Sequence, residues 1–132
     1  MTGDPKLQIS IVLANGAVIG LRKITLLEAI EAKGSITVAA RSLRISYRYA
    51  WRLVQSINEI FCEPAVVTVV GGATRGGAKL SATGTHVVAI YRAAQNQARA
   101  SSLNEVRALS SEVFERHAKV GTLFSEETAE VI

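Results

Sequence analysis

The residues with the clearest chemical potential lie between positions 46 and 55, where basic, aromatic and amide side chains alternate with apolar ones. Residues three or four positions apart share a helix face, and one such face consists of Tyr47, Arg48, Trp51, Arg52 and Gln55. In the DNA major groove, arginine pairs with guanine through two hydrogen bonds, and glutamine pairs in the same way with adenine. We predict that this face reads base edges. The alternative is that the arginines only solvate the helix and the tryptophan is partly buried.

The elements before this helix are predicted from apolar spacing and from residues that begin or end helices. The spacing over 22–33 predicts a first helix that Gly34 ends. Ser35 is a natural N-cap for a short second helix, and Ser46 caps the third, which runs to about Phe61. The apolar side of the third helix is predicted to pack on the first two, and its members are Ala50, Leu53, Val54, Ile57 and Ile60.

The rest of the chain is predicted to form two hairpins and a helical tail. Residues 7–21 alternate between apolar and polar side chains around Asn15-Gly16, two residues that tolerate the positive φ of a tight turn. A strand over 66–70 pairs with one that starts at Lys79, and Ser81 caps the helix that follows. Two apolar stripes in the tail exceed what a small core needs, and we expect them to bury against a second copy. Their members are Val87, Ile90, Tyr91, Ala94, Leu103, Val106, Leu109 and Val113.

The loop over 71–77 contains four glycines and could be mistaken for a phosphate-binding loop. It has neither the Gly-Lys-Ser/Thr ending of a P-loop nor the G-x-G-x-x-G pattern of dinucleotide-binding folds. We predict a hairpin tip whose Arg75 and Lys79 reach a DNA backbone, and a plain mobile hairpin is the alternative.

The predicted order of elements is that of a winged helix-turn-helix. We expect a mainly α fold with a small β wing, an N-terminal hairpin and C-terminal dimerisation helices. The 132 residues are interpreted as a single domain, with the N-terminal hairpin over 7–21, the helix-turn-helix and wing over 22–81, and the dimerisation helices over 82–120.

Charge is concentrated in the middle of the chain. Residues 22–80 carry nine basic and four acidic side chains, whereas residues 81–132 carry five and six. Four arginines and no acidic residue lie between Ser35 and Asn58. This distribution favours a polyanion as the partner of the central module.

Other function classes find little support in the sequence. The single cysteine, Cys62, excludes an internal disulfide, and His86 and His117 lie in different helical segments. We therefore predict no enzyme, no cofactor and no metal site. The longest uncharged run, over 7–21, is too short to span a bilayer, so we expect a soluble, cytoplasmic protein without a membrane partner.

Several motifs together resemble the N-terminal DNA-binding domain of the ModE molybdate-responsive transcriptional regulators, a relative of the LysR-type winged helix. They are Leu27 to Ile30, Gly34 to Ile36, Ala39-Ala40, Ile45 to Trp51, Gly71-Gly72 and Gly76 to Gly84. The resemblance covers roughly residues 7–115 and implies a homodimeric regulator that binds double-stranded DNA, with residues 46–55 in the groove and the wing on the backbone. The candidate DNA-binding residues are Ser35, Thr37, Ser46, Tyr47, Arg48, Trp51, Arg52, Gln55, Arg75 and Lys79.

The resemblance stops short of the effector domain. Full-length ModE regulators sense molybdate through C-terminal oxyanion-binding domains, and the 132 residues leave no room for one. We expect no micromolar molybdate affinity in this chain alone, and a separate oxyanion-binding protein is a candidate partner. The competing interpretation is a winged-helix protein-interaction module. An oxyanion-binding protein is disfavoured by the length.

Overall fold

The computed structural model describes residues 4–69 and 76–113. Within them the chain is mainly helical, with two small antiparallel sheets. The elements in chain order are β1 (Ile11–Val12), β2 (Val18–Ile19), α1 (Leu21–Lys33), α2 (Ile36–Ser42), α3 (Tyr47–Ile60), β3 (Val66–Val69), β4 (Gly77–Leu80), α4 (Ala82–Ser101) and α5 (Leu103–Ser110). The described residues group into two compact units, one from 4–21 with 92–113 and one from within 22–91.

The N-terminal hairpin is shorter than the alternation over 7–21 predicts. Only two residues in each strand pair, with Ile11 opposite Ile19. The turn is a three-residue loop closed by a 2.8 Å hydrogen bond from the Leu13 N–H to the Ala17 carbonyl. Of the two residues expected to favour positive φ, only Gly16 adopts it, at +86°. Asn15 contributes through its side-chain oxygen, which accepts from the Ala17 N–H at 3.0 Å.

Helices α1 to α3 begin and end within one or two residues of the predicted positions. Gly34 follows α1 with φ +75°, and its N–H donates to the Ile30 carbonyl at 2.8 Å. Ser35 and Ser46 are the N-caps of α2 and α3, because each hydroxyl accepts a 3.0 Å bond from a backbone N–H three residues later. The predicted caps are therefore confirmed.

The core of the second unit is almost entirely aliphatic. α1 buries four side chains, and α2 and α3, which contact each other, bury three each. The buried residues of the three helices are Ile24, Leu26, Leu27, Ile30, Ile36, Ala39, Ala40, Ala50, Val54 and Ile57. This core fixes α3 through its apolar side and leaves the other side open.

One side chain of α3 fastens the second hairpin. Asn58 accepts bonds from the N–H groups of Ala65 (2.9 Å) and Val66 (3.0 Å) through its side-chain oxygen. Its amide nitrogen donates to the Val66 carbonyl at 3.2 Å. The start of β3 is therefore held by α3 at three points.

The outer edge of β4 is bonded to the end of α1. β3 and β4 pair antiparallel from Val66 opposite Leu80 to Val69 opposite Gly77. The Ala78 N–H, which points away from β3, donates to the Gly34 carbonyl at 2.9 Å. The Leu80 N–H donates to a carboxylate oxygen of Glu31 at 3.2 Å. These two bonds occupy donors that an edge strand would otherwise expose.

The predicted cap of α4 is present. The Ser81 hydroxyl accepts from the Gly84 N–H at 3.2 Å and donates to the Pro64 carbonyl at 2.6 Å. A Cβ at Gly84 would overlap the carbonyl oxygen of Ala65, so the helix approaches the base of the hairpin where only glycine fits. None of the helices in the described ranges is both long and apolar enough to cross a membrane.

The apolar stripes of the tail differ from the prediction. Tyr91 is only 1% exposed within the single chain, so assigning it to a contact with a second copy was wrong. Ile90 on the same helix is 64% exposed. α5 has no buried residue. The part of the predicted dimerisation segment beyond Val113 lies outside the described residues.

Candidate nucleic-acid interface

Helix α3 separates its side chains by chemistry. Three members of its apolar stripe, Ala50, Val54 and Ile57, are buried, and Leu53 and Ile60 are half-buried. The polar face that the spacing predicts is largely open. Tyr47, Arg48, Arg52 and Gln55 are exposed, whereas Trp51 is half-buried. Four of the five side chains are therefore accessible to a ligand, and the fifth agrees with the alternative of a partly buried tryptophan.

Trp51 contacts Tyr47 one helical turn earlier. Their ring centroids are 6.1 Å apart and the rings are inclined at 76°, an edge-to-face arrangement. Tyr47 keeps 53% of its surface exposed. Trp51 thus stabilises the position of Tyr47 at the start of α3.

The structure adds a residue that the sequence did not single out. The Tyr49 ring lies within cation–π distance of two guanidinium groups, Arg52 at 5.5 Å and Arg22 of α1 at 5.7 Å from its centroid. The Arg52 contact spans three residues on one helix, a spacing that could have suggested it. The Arg22 contact joins two elements and has no local signal. Arg52 is therefore oriented by a contact within its own helix.

Two basic side chains at the start of α1, Arg22 and Lys23, are partly buried. In the described part of the chain, Nε of Arg22 is buried without a hydrogen-bond partner. Burial lowers the pKa of the neighbouring Lys23 ammonium.

Three of the candidate residues carry a hydroxyl group. Two of them cap helices, and the third is exposed on α2. The oxygens of Ser35 and Ser46 accept the capping bonds of α2 and α3. A hydroxyl that accepts one bond can still donate its proton to a phosphate oxygen. Thr37 is exposed in the first turn of α2. All three lie at helix N-termini, where anions are stabilised.

Two residues of the second hairpin are predicted to contact the DNA backbone, and the structure describes one of them. Lys79 is exposed on β4, opposite Val67. Arg75 lies outside the described residues, as does most of the glycine-rich loop. Of the remaining residues that could carry chemistry, Cys62 and His86 are exposed, and His117 is also outside the described ranges.

Every charged side chain in the segment from 35 to 58 is positive. The exposed cations from 35 to 58 are Arg41, Arg44, Arg48 and Arg52, and no acidic side chain lies in this stretch. A set of exposed guanidinium groups in the same segment as exposed aromatic and amide groups can bind phosphates through charge and bases through hydrogen bonds.

Comparison with known proteins finds relatives over part of the chain, while no protein-family model matches it. The chain is 37% identical over 107 residues to the "Molybdenum transport protein ModE" of Azotobacter vinelandii. It is 41% identical over 78 residues to the "Molybdenum-pterin-binding protein MopB" of Rhodobacter capsulatus. It is 35% identical over 70 residues to the "DNA-binding transcriptional dual regulator ModE" of Escherichia coli K12.

These similarities cover 76%, 59% and 53% of this chain but only 40%, 29% and 27% of the three relatives. The chain thus spans well under half the length of the curated relatives that it matches. Its relatives are molybdenum-related ModE and Mop proteins, and it corresponds to a fragment of them.

Proposed function

We propose that this chain is a sequence-specific double-stranded DNA-binding regulator of transcription of the ModE type, built as a winged helix-turn-helix. It acts in the cytoplasm as a homodimer without enzymatic activity and is linked to molybdate transport or metabolism. The observation that carries the proposal is the exposed face of α3, where Tyr47, Arg48, Arg52 and Gln55 are all open to a ligand. The sequence from 35 to 58 contains no acidic residue.

The arrangement of α2 and α3 supports the helix-turn-helix part. The two helices contact each other and are joined by four residues, 43–46, the last of which caps α3. In helix-turn-helix proteins the second helix lies in the major groove and contacts bases through its N-terminal residues. Arg48 and Gln55 are seven positions apart on one face, with Trp51 between them, so they reach successive base edges.

The second hairpin supports the winged part. Its base is fixed by Asn58 of α3 and by the Gly34 carbonyl between α1 and α2. A hairpin anchored beside the recognition helix can deliver Lys79 to a phosphate while α3 lies in the groove. The wing thus supplies backbone affinity, and α3 supplies discrimination between sequences.

The homodimer rests on the uncovered apolar side chains of the tail. Ile90, Leu103 and Leu109 are all exposed. A two-fold dimer would bury such a face twice and would match the symmetry of a palindromic operator. The link to molybdenum rests on the names of the relatives alone.

The proposal is tested by selecting duplexes from a random-sequence library with the purified chain. We expect one enriched sequence, bound about 10³-fold or more tightly than its scrambled form at physiological salt. Affinity should fall linearly as the logarithm of the salt concentration rises. Binding without enrichment would contradict the sequence-reading role, and no duplex binding at all would favour the protein-interaction module.

A further inference from the structure

The turn between α2 and α3 contains a backbone conformation that its residue type does not favour. Arg44 has φ +59°, and among the described residues it is the one non-glycine with positive φ. The other positive-φ positions in those ranges are occupied by Gly16, Gly34 and Gly76. An L-residue in this region brings its Cβ close to the following carbonyl, whereas glycine adopts it without that penalty.

Hydrogen bonds identify this turn as a Schellman motif. The Ile45 N–H donates to the Ala40 carbonyl and the Arg44 N–H donates to the Arg41 carbonyl, both at 3.1 Å. Arg44 is therefore the residue directly after the C-cap Leu43, the position at which glycine is usual. Gly34 occupies the equivalent place after α1, so the same module contains both the usual residue and the exception.

Contacts among the residues that the structure describes do not explain an arginine at this position. The Arg44 side chain is exposed, and within 4–69 and 76–113 it has no hydrogen bond or ion pair. Acidic residues do not occur from 32 to 58, so its charge adds to a segment that is already positive. The unfavourable backbone conformation is not offset by any hydrogen bond or ion pair of the side chain within the described residues. We therefore infer that the side chain has a role in binding.

The position of Arg44 indicates what that side chain binds. It lies three residues before Tyr47, the first residue of α3, and four before Arg48. In the proposed complex the start of α3 enters the major groove, and the turn before it meets the edge of the groove, where phosphates lie. Guanidinium groups bind phosphate through two parallel hydrogen bonds.

We propose that Arg44 is a DNA-phosphate contact for which this fold gives up stability in the α2–α3 turn. The proposal rests on the proposed function and adds a residue to it. Because a phosphate carries no sequence information, Arg44 strengthens binding to all duplexes equally.

The test compares three variants on a 30-base-pair duplex of random sequence, across 50 to 200 mM salt. Arg44→Gly should raise the melting temperature by a few degrees and make the slope of log K against log salt shallower by about 0.9. The loss of affinity over this salt range should then shrink by about 3.5-fold. Arg44→Ala should change the slope equally without raising the melting temperature, and Arg44→Lys should keep the slope.

Lys6→Ala is the matched control, since it removes one exposed positive charge elsewhere in the chain. An equal change of slope in this control would reduce the effect to net charge and overturn the proposal. So would an unchanged slope in Arg44→Gly, or a lower melting temperature in that variant. If the unaltered chain binds no duplex, the proposed function fails and this inference fails with it; an unchanged slope in Arg44→Gly alone removes only the inference.

Discussion

Helices α3 and α5 have the same kind of apolar spacing and opposite surroundings. In α3 the stripe Ala50, Val54 and Ile57 is fully buried within the chain. In α5 no residue is buried, and Leu109 is 72% exposed. The exposed side of α3 is basic and aromatic, while the exposed side of α5 includes its largest apolar groups.

This difference separates two tasks that the spacing alone cannot distinguish. A helix whose apolar stripe is covered by its own chain is rigidly held, and its remaining face is available for a polar ligand. Apolar side chains that stay exposed to water are unfavourable, so a helix with an uncovered apolar stripe is stabilised when another surface buries that stripe. Under the proposed function, α3 binds DNA and α5 contacts a second copy of the protein.

The largest effect is expected where the apolar face of α5 meets its partner. Leu109→Glu removes a leucine from each side of a two-fold contact, and each buried leucine is worth about 1.5–3 kcal/mol. The dimer dissociation constant should therefore rise by about 100-fold or more. Light scattering at micromolar concentration should change from dimer to monomer, whereas Val12→Glu, at an equally exposed residue of β1, should leave the dimer intact. A monomeric unaltered chain would contradict the assignment.

The buried stripe of α3 should respond to truncation where that of α5 does not. Ile57 is 0% exposed. Ile57→Ala should lower the free energy of unfolding by about 2–5 kcal/mol through lost burial and a residual cavity. Leu109→Ala should change it by about 0.5 kcal/mol or less when the protein is dilute enough to be monomeric. Urea denaturation measures both, and equal losses would show that the two stripes are covered alike.

α3 and α5 each carry an asparagine, and alanine variants of the two form a second matched comparison. Asn58→Ala removes two bonds to Val66 of β3 and one to the preceding Ala65. The N–H groups of Ala65 and Val66 lose this partner, at a cost of about 1–3 kcal/mol. Asn104 of α5 is exposed, and its alanine variant should be nearly neutral. Thermal unfolding monitored by circular dichroism compares them. A neutral Asn58→Ala would mean that α3 does not hold the hairpin.

A smaller effect is expected on the hairpin that α3 holds. Lys79→Ala should weaken binding to every duplex to a similar degree and make the salt slope shallower by about 0.9. Fluorescence anisotropy with selected and scrambled duplexes at several salt concentrations measures this. A loss of affinity for the selected duplex alone would contradict a phosphate contact and would indicate that Lys79 contacts bases.

The sequence predicted those parts of the fold that local chemistry determines. Gly34, Ser35 and Ser46 act on backbone groups within four residues of themselves, so their roles could be predicted without knowing the fold. The three bonds of Asn58 and the Arg22–Tyr49 contact join residues that are distant in sequence, and no spacing signals them. The positive φ of Arg44 was not predicted either, although its turn is local. Residue preference places glycine at such a position, so an arginine there gives no signal.

The same limit applies to the candidate site. Helical spacing predicted four of the exposed residues of α3, and it also predicted Trp51, which is half-buried. It could not predict that Arg52 would lie over Tyr49, because a side chain chooses among rotamers according to its surroundings. For α5 the spacing predicted the stripe. Tyr91 of the α4 stripe was wrongly assigned to a contact with a second copy, because spacing does not reveal which element covers a face.

The central claim is that α3 reads base sequence, and Arg48 tests it most directly because its exposed side chain lies on the polar face of the helix. Arg48→Ala and Arg107→Ala remove one exposed arginine from α3 and from α5, and both are compared on the selected duplex and its scrambled form. We predict that Arg48→Ala costs about 1–3 kcal/mol, or about 5- to 150-fold, on the selected duplex and far less on the scrambled one. Arg107→Ala should affect neither. An equal loss on both duplexes in Arg48→Ala would contradict the account.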